Sequence, residues 1–286
     1  MTVTGNGAGP DRIRSAFATA SQQQRAAFIA YVVAGYPSAD DAVNVAEAAL
    51  EAGADLLEIG IPFTDPMADG PVIAAASRAA LAAGGGLQSA VDLARALRQR
   101  GATQPILAMS YLNPLLAHGA VEALGALAAA GVDGLIVPDL PVGEDPAFER
   151  AVAAHGLAIS FLVAPNTPPP RLEEAVTASS AFLYVVPLLG VTGARDSLAD
   201  GAVELIVRIR KTALGRAPVV AGFGISAASQ VARLAEVADG VVVGSALVRA
   251  LASQNGHGEG AARVGVLVRE LSAATRITLP AAKALR

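Results

Sequence analysis

The sequence predicts an α/β protein that folds as a single (β/α)8 barrel with an extra N-terminal helix. Short apolar runs alternate with helical patterns along most of the chain, which is typical of parallel strands joined by helices. About eight such units fit within the 286 residues, and barrels of this kind commonly contain about 250 residues. An open dinucleotide-binding sheet would need a GxGxxG turn after its first strand, and Val33-Ala34-Gly35-Tyr36-Pro37 lacks one.

The elements follow from apolar periodicity and from the residues that bound each run. The first helix is predicted at 11–24 and the first strand at 26–33, because that apolar run is too short for a helix before Gly35 and Pro37. Ser38 or Asp40 can cap the helix that follows. Later strands are predicted at 55–59, 105–111, 133–137, 157–163, 182–186, 218–221 and 240–243. Later helices are predicted at 71–100, 114–130, 145–154, 171–179, 202–214, 226–237 and 261–274.

A weak internal repeat marks three of the helix-to-strand junctions. The repeated segments are AGADLLEIG from Ala52, AGVDGLIVPD from Ala130 and VADGVVVGS from Val237. In each, a small residue and an Asp precede an apolar strand. Since no linker-like stretch divides the chain, we expect one barrel domain at 11–276, between a flexible segment at 1–10 and a C-terminal tail at 277–286.

The composition excludes several classes of protein. Hydrophobic residues make up 53% of the chain and charged residues 16%, which excludes a disordered chain. The net charge of -4 argues against nucleic acid as the main partner, and the chain contains no cysteine. Two long uncharged runs, 101–121 and 175–194, contain Pro and Gly amid polar residues and therefore do not indicate membrane spans. We expect a soluble cytoplasmic protein that binds neither nucleic acid nor membrane.

Three acidic residues, Glu58, Asp65 and Asp69, lie in the second predicted strand and in the loop that follows it. Alternation along that strand places Glu58 and Gly60 on the barrel-facing side, with Leu57 and Ile59 packed on helices. Asp69 lies in the Pro- and Gly-rich loop that follows, and loops at this end of a barrel carry catalytic groups. Two structural alternatives stay open: an ion pair between Glu58 and an arginine, and a turn fixed by Asp69. Asp65, which precedes Pro66, is predicted to be structural.

Glycine-rich turns follow the last three predicted strands and indicate an anion site. They are Gly190-Val191-Thr192-Gly193, Gly222-Phe223-Gly224-Ile225-Ser226 and Gly244-Ser245-Ala246. Backbone N–H groups can converge at such turns, and a helix starting at Ser245 would add its dipole. Phosphate sites in barrels often follow the seventh and eighth strands. We therefore expect a phosphate ester as the substrate.

The remaining residue types narrow the reaction. The only lysines are Lys211, in a predicted helix, and Lys283, in the tail, so no strand end offers a Schiff-base amine. The histidines His118, His155 and His257 lack the spacing of zinc ligands. Proton transfer by carboxylates remains, on a substrate that supplies its own electron sink.

These residues belong to motifs that closely resemble those of the tryptophan synthase alpha chain family. The motifs are AYVVAGYPS at 30–38, DLLEIGIPFTDPMADGP at 55–71, MSYLNPLLAHG at 109–119, VPDLPVGE at 137–144, FLVAPNTP at 161–168, GVTGAR at 190–195, GFGIS at 222–226 and GSALV at 244–248. The resemblance implies a (β/α)8 lyase that cleaves indole-3-glycerol phosphate to indole and glyceraldehyde 3-phosphate. It implies no cofactor in this chain and a pyridoxal phosphate-dependent beta chain as partner, in an alpha2-beta2 complex.

The resemblance also implies residue roles. Glu58 is the acid–base on C3 of indole and on the adjacent hydroxyl, Asp69 holds the indole N–H, and Tyr184 lies beside the catalytic acid. The phosphate cradle is formed by Gly193, Gly224, Gly244 and Ser245. The indole pocket is lined by Tyr111, Met109 and Phe223, for which packing at the barrel mouth is the alternative.

The sequence departs from the family pattern at two places. Pro187-Leu188-Leu189 replaces a segment that usually carries a hydroxyl residue before GVTG, which bears on loop closure and on coupling to the partner. Val33 replaces a more common Thr, which bears on how the loop around Asp69 is held.

Three rival functions stay open as alternatives, and one surface is expected to bind the partner. The rivals are a phosphoribosyl isomerase of similar architecture, a stand-alone indole-releasing lyase and a non-catalytic subunit that only activates its partner. The partner is expected to dock over the active-site face near Asp65, Asp139 and Gly190, where Pro138, Leu140 and Pro141 are predicted to be exposed apolar surface.

Overall fold

The fold is a parallel β-barrel surrounded by helices, in a computed structural model that describes residues 8–186, 195–222, 224–252 and 259–277. The strands are β1 Ala27–Val33, β2 Leu56–Gly60, β3 Ile106–Met109, β4 Gly134–Ile136, β5 Ala158–Ser160, β6 Leu162–Val163, β7 Leu183–Val185, β8 Val219–Ala221 and β9 Gly240–Val243. The helices are α1 Ala8–Gln22, α2 Ala39–Glu51, α3 Pro71–Ala82, α4 Leu87–Gln99, α5 Leu112–Ala117, α6 Ala120–Ala129, α7 Pro146–Ala154, α8 Pro169–Ala178, α9 Arg195–Ala213, α10 Ala228–Ala235, α11 Ser245–Ala252 and α12 Glu259–Ala273.

The predicted barrel is confirmed, and its fifth strand is interrupted. The sheet order is β5-β4-β3-β2-β1-β9-β8-β7-β6, so the two ends of the order are β5 and β6, which only Phe161 separates along the chain. The barrel therefore closes through 158–163, the fifth predicted strand. The Phe161 N–H donates to Ser179 Oγ (3.3 Å), and the Ile159 N–H donates to Ser180 Oγ (2.9 Å). Two serine hydroxyls thus replace backbone carbonyls as acceptors beside the interruption.

Side chains alternate between two apolar layers, as strand periodicity predicts. Leu57 and Ile59 of β2 belong to the layer between strands and helices. Leu56 of β2 and Tyr31 of β1 belong to a separate cluster inside the barrel. Glu58 lies on the same face of β2 as Leu56 and is 1% exposed. The predicted inward direction of Glu58 is therefore confirmed.

The three Asp residues of the sequence repeat form the same contacts at the N-terminal rim of the barrel. Each backbone N–H donates to the carbonyl oxygen of a residue at the start of the preceding strand, and each carboxylate accepts from the N–H of that residue. The pairs are Asp55 with Phe28, Asp133 with Ile106 and Asp239 with Val219. An arginine also binds each carboxylate: Arg25 on Asp55, Arg98 and Arg12 on Asp133, and Arg210 on Asp239. We call these three residues the rim aspartates.

Several element boundaries differ from the predicted ones. The helix predicted at 71–100 is two helices, because the glycines at 84–86 interrupt it and Gly84 has a φ of +85°. The helix predicted at 114–130 is also two, divided at Gly119 with a φ of +82°. α1 begins at Ala8 within the segment predicted to be flexible, and α9 begins at Arg195 rather than at Ala202.

The predicted N-cap of α2 is confirmed. Ser38 is the N-cap of α2, and its Oγ accepts from the Asp41 N–H (3.1 Å). Within the part of the chain that the structure describes, no helix is long and apolar enough to cross a membrane.

Candidate active site

Glu58 is a buried carboxyl group in the barrel interior. It lies at the middle of β2, opposite Tyr31 of β1 and Leu107 of β3 in the strand register. Neither carboxyl oxygen has a hydrogen-bond partner among the described residues, which excludes the structural ion pair within them. Burial raises the pKa of Glu58 to about 8, and the nearby charge of Asp69 adds to the increase. Glu58 is therefore mostly protonated at neutral pH and can donate a proton.

Asp69 lies in the loop between β2 and α3, which is held against the barrel by Tyr111. The Tyr111 hydroxyl accepts a hydrogen bond from the Ala68 N–H (2.8 Å), and its ring lies 5.2 Å from that of Phe63. The Asp69 N–H donates to the Pro66 carbonyl (3.1 Å). Burial raises the pKa of Asp69 to about 6, so this carboxyl group is mostly ionised at neutral pH. The two acids are thus in different protonation states at the same pH.

Asp65, in the same loop, is in a different environment. It is exposed, and its carboxylate accepts from the Thr64 hydroxyl (2.5 Å). The adjacent Met67 is 85% exposed. The loop therefore turns Asp69 toward the barrel and Met67 outward.

Tyr31 and Tyr184 cross the barrel interior, each over a glycine of another strand end. A Cβ at Gly60 would lie less than 3.0 Å from three atoms of Tyr31, and one at Gly222 would do the same with Tyr184. Burial is the main cause that raises the pKa of both tyrosines above the usual range; the largest charge contributions come from Asp69 for Tyr31 and from Glu58 for Tyr184. Both hydroxyls are therefore neutral and close to the two carboxyl groups.

A cavity of about 200 Å³ joins these groups at the C-terminal end of the barrel. Among the residues that line it are Glu58, Asp69, Tyr31, Tyr184 and Met109, which we call the proton-transfer side, and Gly224, Gly244, Ser245 and Arg249, which we call the anion side. Gly224 has a φ of +74°, a conformation that favours glycine, and Ser245 begins α11. A helix N-terminus beside a glycine turn favours an anion. The cavity thus combines a proton-transfer side with an anion-binding side.

The structure brings together most of the residues predicted for the site. Glu58, Asp69, Tyr184, Gly224, Gly244, Ser245 and Met109 all line the cavity. Tyr111 is buried beside the loop that carries Asp69, where its hydroxyl contacts the backbone of that loop. Val33 is buried in the barrel interior and pairs with Gly60. Gly193, Phe223 and the segment Pro187-Leu188-Leu189 lie outside the described residues.

Two polar residues of the cavity, Tyr31 and Arg249, are not predicted from the sequence. A usable signal existed for Tyr31, because alternation along the first strand places it on the same inward face as Ile29 and Val33. Arg249 lies one helical turn after Ser245, a spacing that places both residues on one face of α11. In the described ranges, no group of three or more His, Asp or Glu residues is arranged to hold a metal ion.

The prediction of an exposed side chain is wrong for one residue of the expected partner surface. Leu140 was predicted to be exposed, but it is only 3% exposed, because it packs into the layer between strands and helices. Its neighbour Pro141 is exposed, as is Asp139, whose carboxylate accepts from the Leu112 N–H (2.9 Å). Met67, in the loop between β2 and α3, is an exposed apolar side chain on this face.

Comparisons with known proteins identify the family. The family model described as "Tryptophan synthase alpha chain" matches residues 17–276. A tryptophan synthase alpha chain from Deinococcus radiodurans is 43% identical over 275 residues, which is 96% of this chain and 97% of that protein. One from Chloroflexus aggregans is 41% identical over 265 residues, covering 93% and 98%.

Solved structures agree with the sequence matches. A structure of tryptophan synthase from Mycobacterium tuberculosis matches with a TM-score of 0.84 and 38% identity, covering 93% of this chain and 99% of that chain. Tryptophan synthase subunit alpha from Legionella pneumophila matches with a TM-score of 0.81 and 29% identity, covering 92% and 98%. The chain belongs to the tryptophan synthase alpha chain family, the lyases that cleave indole-3-glycerol phosphate to indole and glyceraldehyde 3-phosphate in tryptophan biosynthesis.

Proposed function

We propose that Glu58 is the acid–base group of this lyase. The protonated carboxyl group donates its proton to C3 of the indole ring. The resulting carboxylate accepts the proton of the hydroxyl on the carbon bonded to C3. The C–O bond of that carbon becomes the C=O bond of the aldehyde as its bond to C3 breaks. The bonding electrons return to the ring, which leaves as indole, and Glu58 ends in its starting state. No lysine or metal takes part in this sequence of steps.

Asp69 is proposed to stabilise the charge that develops on the ring. When C3 is protonated, the indole nitrogen becomes iminium-like and carries positive charge. An ionised carboxylate that accepts the indole N–H lowers the energy of this state more than that of the neutral substrate. The pKa of Asp69, at about 6, keeps this group ionised at neutral pH.

One observation carries this proposal: two carboxyl groups of raised and different pKa line the same cavity, and the buried one has no hydrogen-bond partner among the described residues. A buried acid without a partner costs free energy of folding, which favours a functional explanation over a structural one. A phosphoribosyl isomerase is not favoured, because the family match extends over residues 17–276. The two acids also argue against a subunit that only activates its partner.

Glu58→Gln tests the proposal. We expect indole release from indole-3-glycerol phosphate to fall by about 10²–10⁴, because the amide cannot transfer a proton. Glu122→Gln, which removes an exposed carboxylate of α6, is the matched control and should keep full activity. Retention of near-normal indole release by Glu58→Gln, with an unchanged circular dichroism spectrum, would assign Glu58 a structural role.

The anion side of the cavity is proposed to bind the substrate phosphate. Gly224, Gly244 and Ser245 supply backbone N–H groups, and Gly193 is included from the sequence motif alone. A side chain at Gly244 would crowd Tyr31, since its Cβ would lie 3.2 Å from the Tyr31 ring. The indole ring is proposed to occupy the opposite side near Met109, with Tyr111 and Phe223 as further wall residues.

A beta chain that carries pyridoxal phosphate is the proposed partner, in an alpha2-beta2 complex. Family membership supports a beta-chain partner, and the stoichiometry and the cofactor are part of the proposal. Met67, on the face that carries the active site, is an apolar contact that such a partner would cover. Indole is apolar and is lost easily to solvent, so a covered exit would retain it. Because the substrate is a charged phosphate ester, we also place the enzyme in the cytoplasm.

Size-exclusion chromatography with a cognate beta chain tests the complex. We expect co-elution at micromolar concentration and a higher rate of indole release in the mixture, because the partner favours the closed form of the active-site loops. Full activity of the isolated chain without co-elution would instead favour a stand-alone lyase.

A further inference from the structure

Arg249 is the one cationic side chain that lines the cavity in the described part of the chain. It lies on α11 one turn after Ser245, and its guanidinium group is 3.5 Å from Ser245 Oγ. That distance is at the limit of a hydrogen bond, so nearly all of its donors remain available with respect to the described residues. No ion pair between Arg249 and a carboxylate of the described residues is formed. By contrast, the rim arginines Arg25, Arg98 and Arg210 are each bound to an Asp.

The direction of the side chain follows from helix geometry. Side chains of a helix lean toward its N-terminus and cover the preceding turn. A residue four positions after Ser245 therefore extends over Gly244 and Ser245, where the N–H groups of the first turn of α11 are located. Gly244, Ser245 and Arg249 all line the cavity.

The charges of the cavity indicate why a cation there would favour the binding of an anion. Asp69, the ionised acid of the cavity, opposes the entry of an anion, and the N-terminus of α11 contributes only about half an elementary charge. A phosphate monoester carries nearly two negative charges at neutral pH. A whole positive charge beside the helix N-terminus would offset this repulsion, and a guanidinium group fits phosphate oxygens in a two-pronged geometry.

We propose that Arg249 binds the phosphate group of the substrate and determines the preference for a phosphorylated over an unphosphorylated indole-3-glycerol. This inference rests on the proposed anion side of the cavity and extends it from backbone donors to a side-chain cation.

Steady-state kinetics of Arg249→Gln and Arg249→Lys test the inference. With indole-3-glycerol phosphate we expect Arg249→Gln to raise KM about tenfold with kcat within about threefold of wild type, because a charge-assisted hydrogen bond is lost in substrate and transition state alike. Arg249→Lys should retain most of the affinity, since it keeps the charge. The difference between wild type and Arg249→Gln should shrink as the salt concentration rises.

Two controls separate phosphate binding from other effects. Arg95→Gln removes an exposed charge on α4 that is paired with Asp92, and it should leave KM unchanged. With indole-3-glycerol, which lacks the phosphate, Arg249→Gln should match wild type in kcat/KM. Equal losses on both substrates, or an equal loss in Arg95→Gln, would overturn the assignment.

A binding measurement keeps this test independent of the proposed catalytic roles. Calorimetry should show that Arg249→Gln binds glycerol 3-phosphate about tenfold more weakly than the wild-type protein does. This comparison remains valid if Glu58→Gln proves active and the acid–base assignment fails. Equal affinity of the two proteins for glycerol 3-phosphate would overturn the role of Arg249 while leaving the catalytic assignment intact.

Discussion

At the scale of single residues, the environment of Glu58 decides its chemistry. The side chain is an ordinary carboxyl group, but burial and the charge of Asp69 raise its pKa to about 8. Asp69, which is only half-buried, has a pKa of about 6. A difference in burial thus separates a proton donor from an ionised partner within one cavity.

This raised pKa predicts a pH-dependent stability. The folded protein holds the proton of Glu58 up to about pH 8, whereas an unfolded chain loses it near pH 4.5, the usual value for a glutamic acid. The contribution of this group to stability is therefore fully present below pH 4.5 and is lost as the pH rises toward 8. The free energy of unfolding of Glu58→Gln should exceed that of wild type by an amount that grows by about 1.4 kcal/mol per pH unit in this window.

Urea unfolding of both proteins at pH 5.5, 6.5 and 7.5 measures this difference. Asp69 titrates in both proteins, so its effect largely cancels in the comparison. A difference that stays constant across the three pH values would contradict the raised pKa of Glu58.

Asp69→Asn provides a second prediction for a single residue. The amide can still accept the indole N–H but cannot offset the positive charge that develops on the ring, so the loss falls on the transition state. We expect kcat to fall by about 10²-fold, with KM within about threefold of wild type. Steady-state measurement of indole release decides the matter, and a loss confined to KM would exclude this role.

At the scale of elements, two glycines at strand ends leave room for the rings of Tyr31 and Tyr184. Gly222 follows β8 directly, and any Cβ there would overlap the Tyr184 ring. Gly222→Ala should therefore displace Tyr184 from the cavity and lower kcat/KM about tenfold or more, at a cost in stability of about 1–3 kcal/mol. Gly201→Ala in α9 is the matched control, because nothing lies within 4 Å of the added Cβ, and it should keep full activity.

The result of that comparison is read from kinetics and thermal unfolding together. If Gly222→Ala were as active as Gly201→Ala, the position of the Tyr184 ring would be irrelevant to the reaction. Loss of stability without loss of activity would lead to the same conclusion.

The sequence predicts strands more successfully than helix boundaries, for a physical reason. A strand of this barrel is a short buried run, and its apolar residues are visible as a block, as in β9 at Gly240–Val243. The break between α3 and α4 depends on glycine conformations, such as the positive φ of Gly84, and a continuous helical pattern conceals it. The split at Phe161 is accompanied by hydrogen bonds to the hydroxyls of Ser179 and Ser180, which apolar periodicity does not predict.

The candidate site was predictable to a similar extent. Glu58 is conspicuous because acids are rare within an apolar strand, and Asp69 because it lies in the loop that directly follows that strand. Tyr31 was missed because a tyrosine inside an apolar run resembles packing, and its role depends on the neighbour Glu58 in the strand register. Arg249 was missed because a cation on a helix usually faces solvent, and only the position of α11 brings it to the cavity.

At the scale of the whole molecule, stability and chemistry occupy opposite ends of the barrel. The rim aspartates join consecutive strands at the N-terminal end, and the cavity lies at the C-terminal end. Asp133 is the most buried of the three at 2% exposure, and both Arg12 and Arg98 bind it. Removal of its charge would leave two guanidinium groups without their carboxylate.

The rim aspartates provide the last prediction. Asp133→Asn should lower the free energy of unfolding by about 3–5 kcal/mol, because it breaks a buried ion pair. Asp239→Asn, at a more exposed position, should cost only about 1 kcal/mol. Chemical denaturation measures both, and kcat of the folded variants should equal that of wild type. A large loss of kcat in either folded variant would contradict the separation of the two ends.

The interruption at Phe161 divides the barrel into two segments of the chain with different tasks. Glu58, Asp69 and Met109 all precede it, whereas Tyr184, Gly224, Gly244 and Ser245 all follow it. In the proposed binding mode, the reactive ring and the phosphate of one substrate are therefore held by separate half-barrels. A different second half would bind a substrate with a different anionic group, or with none, next to the same pair of acids. The half that carries these acids would stay unaltered.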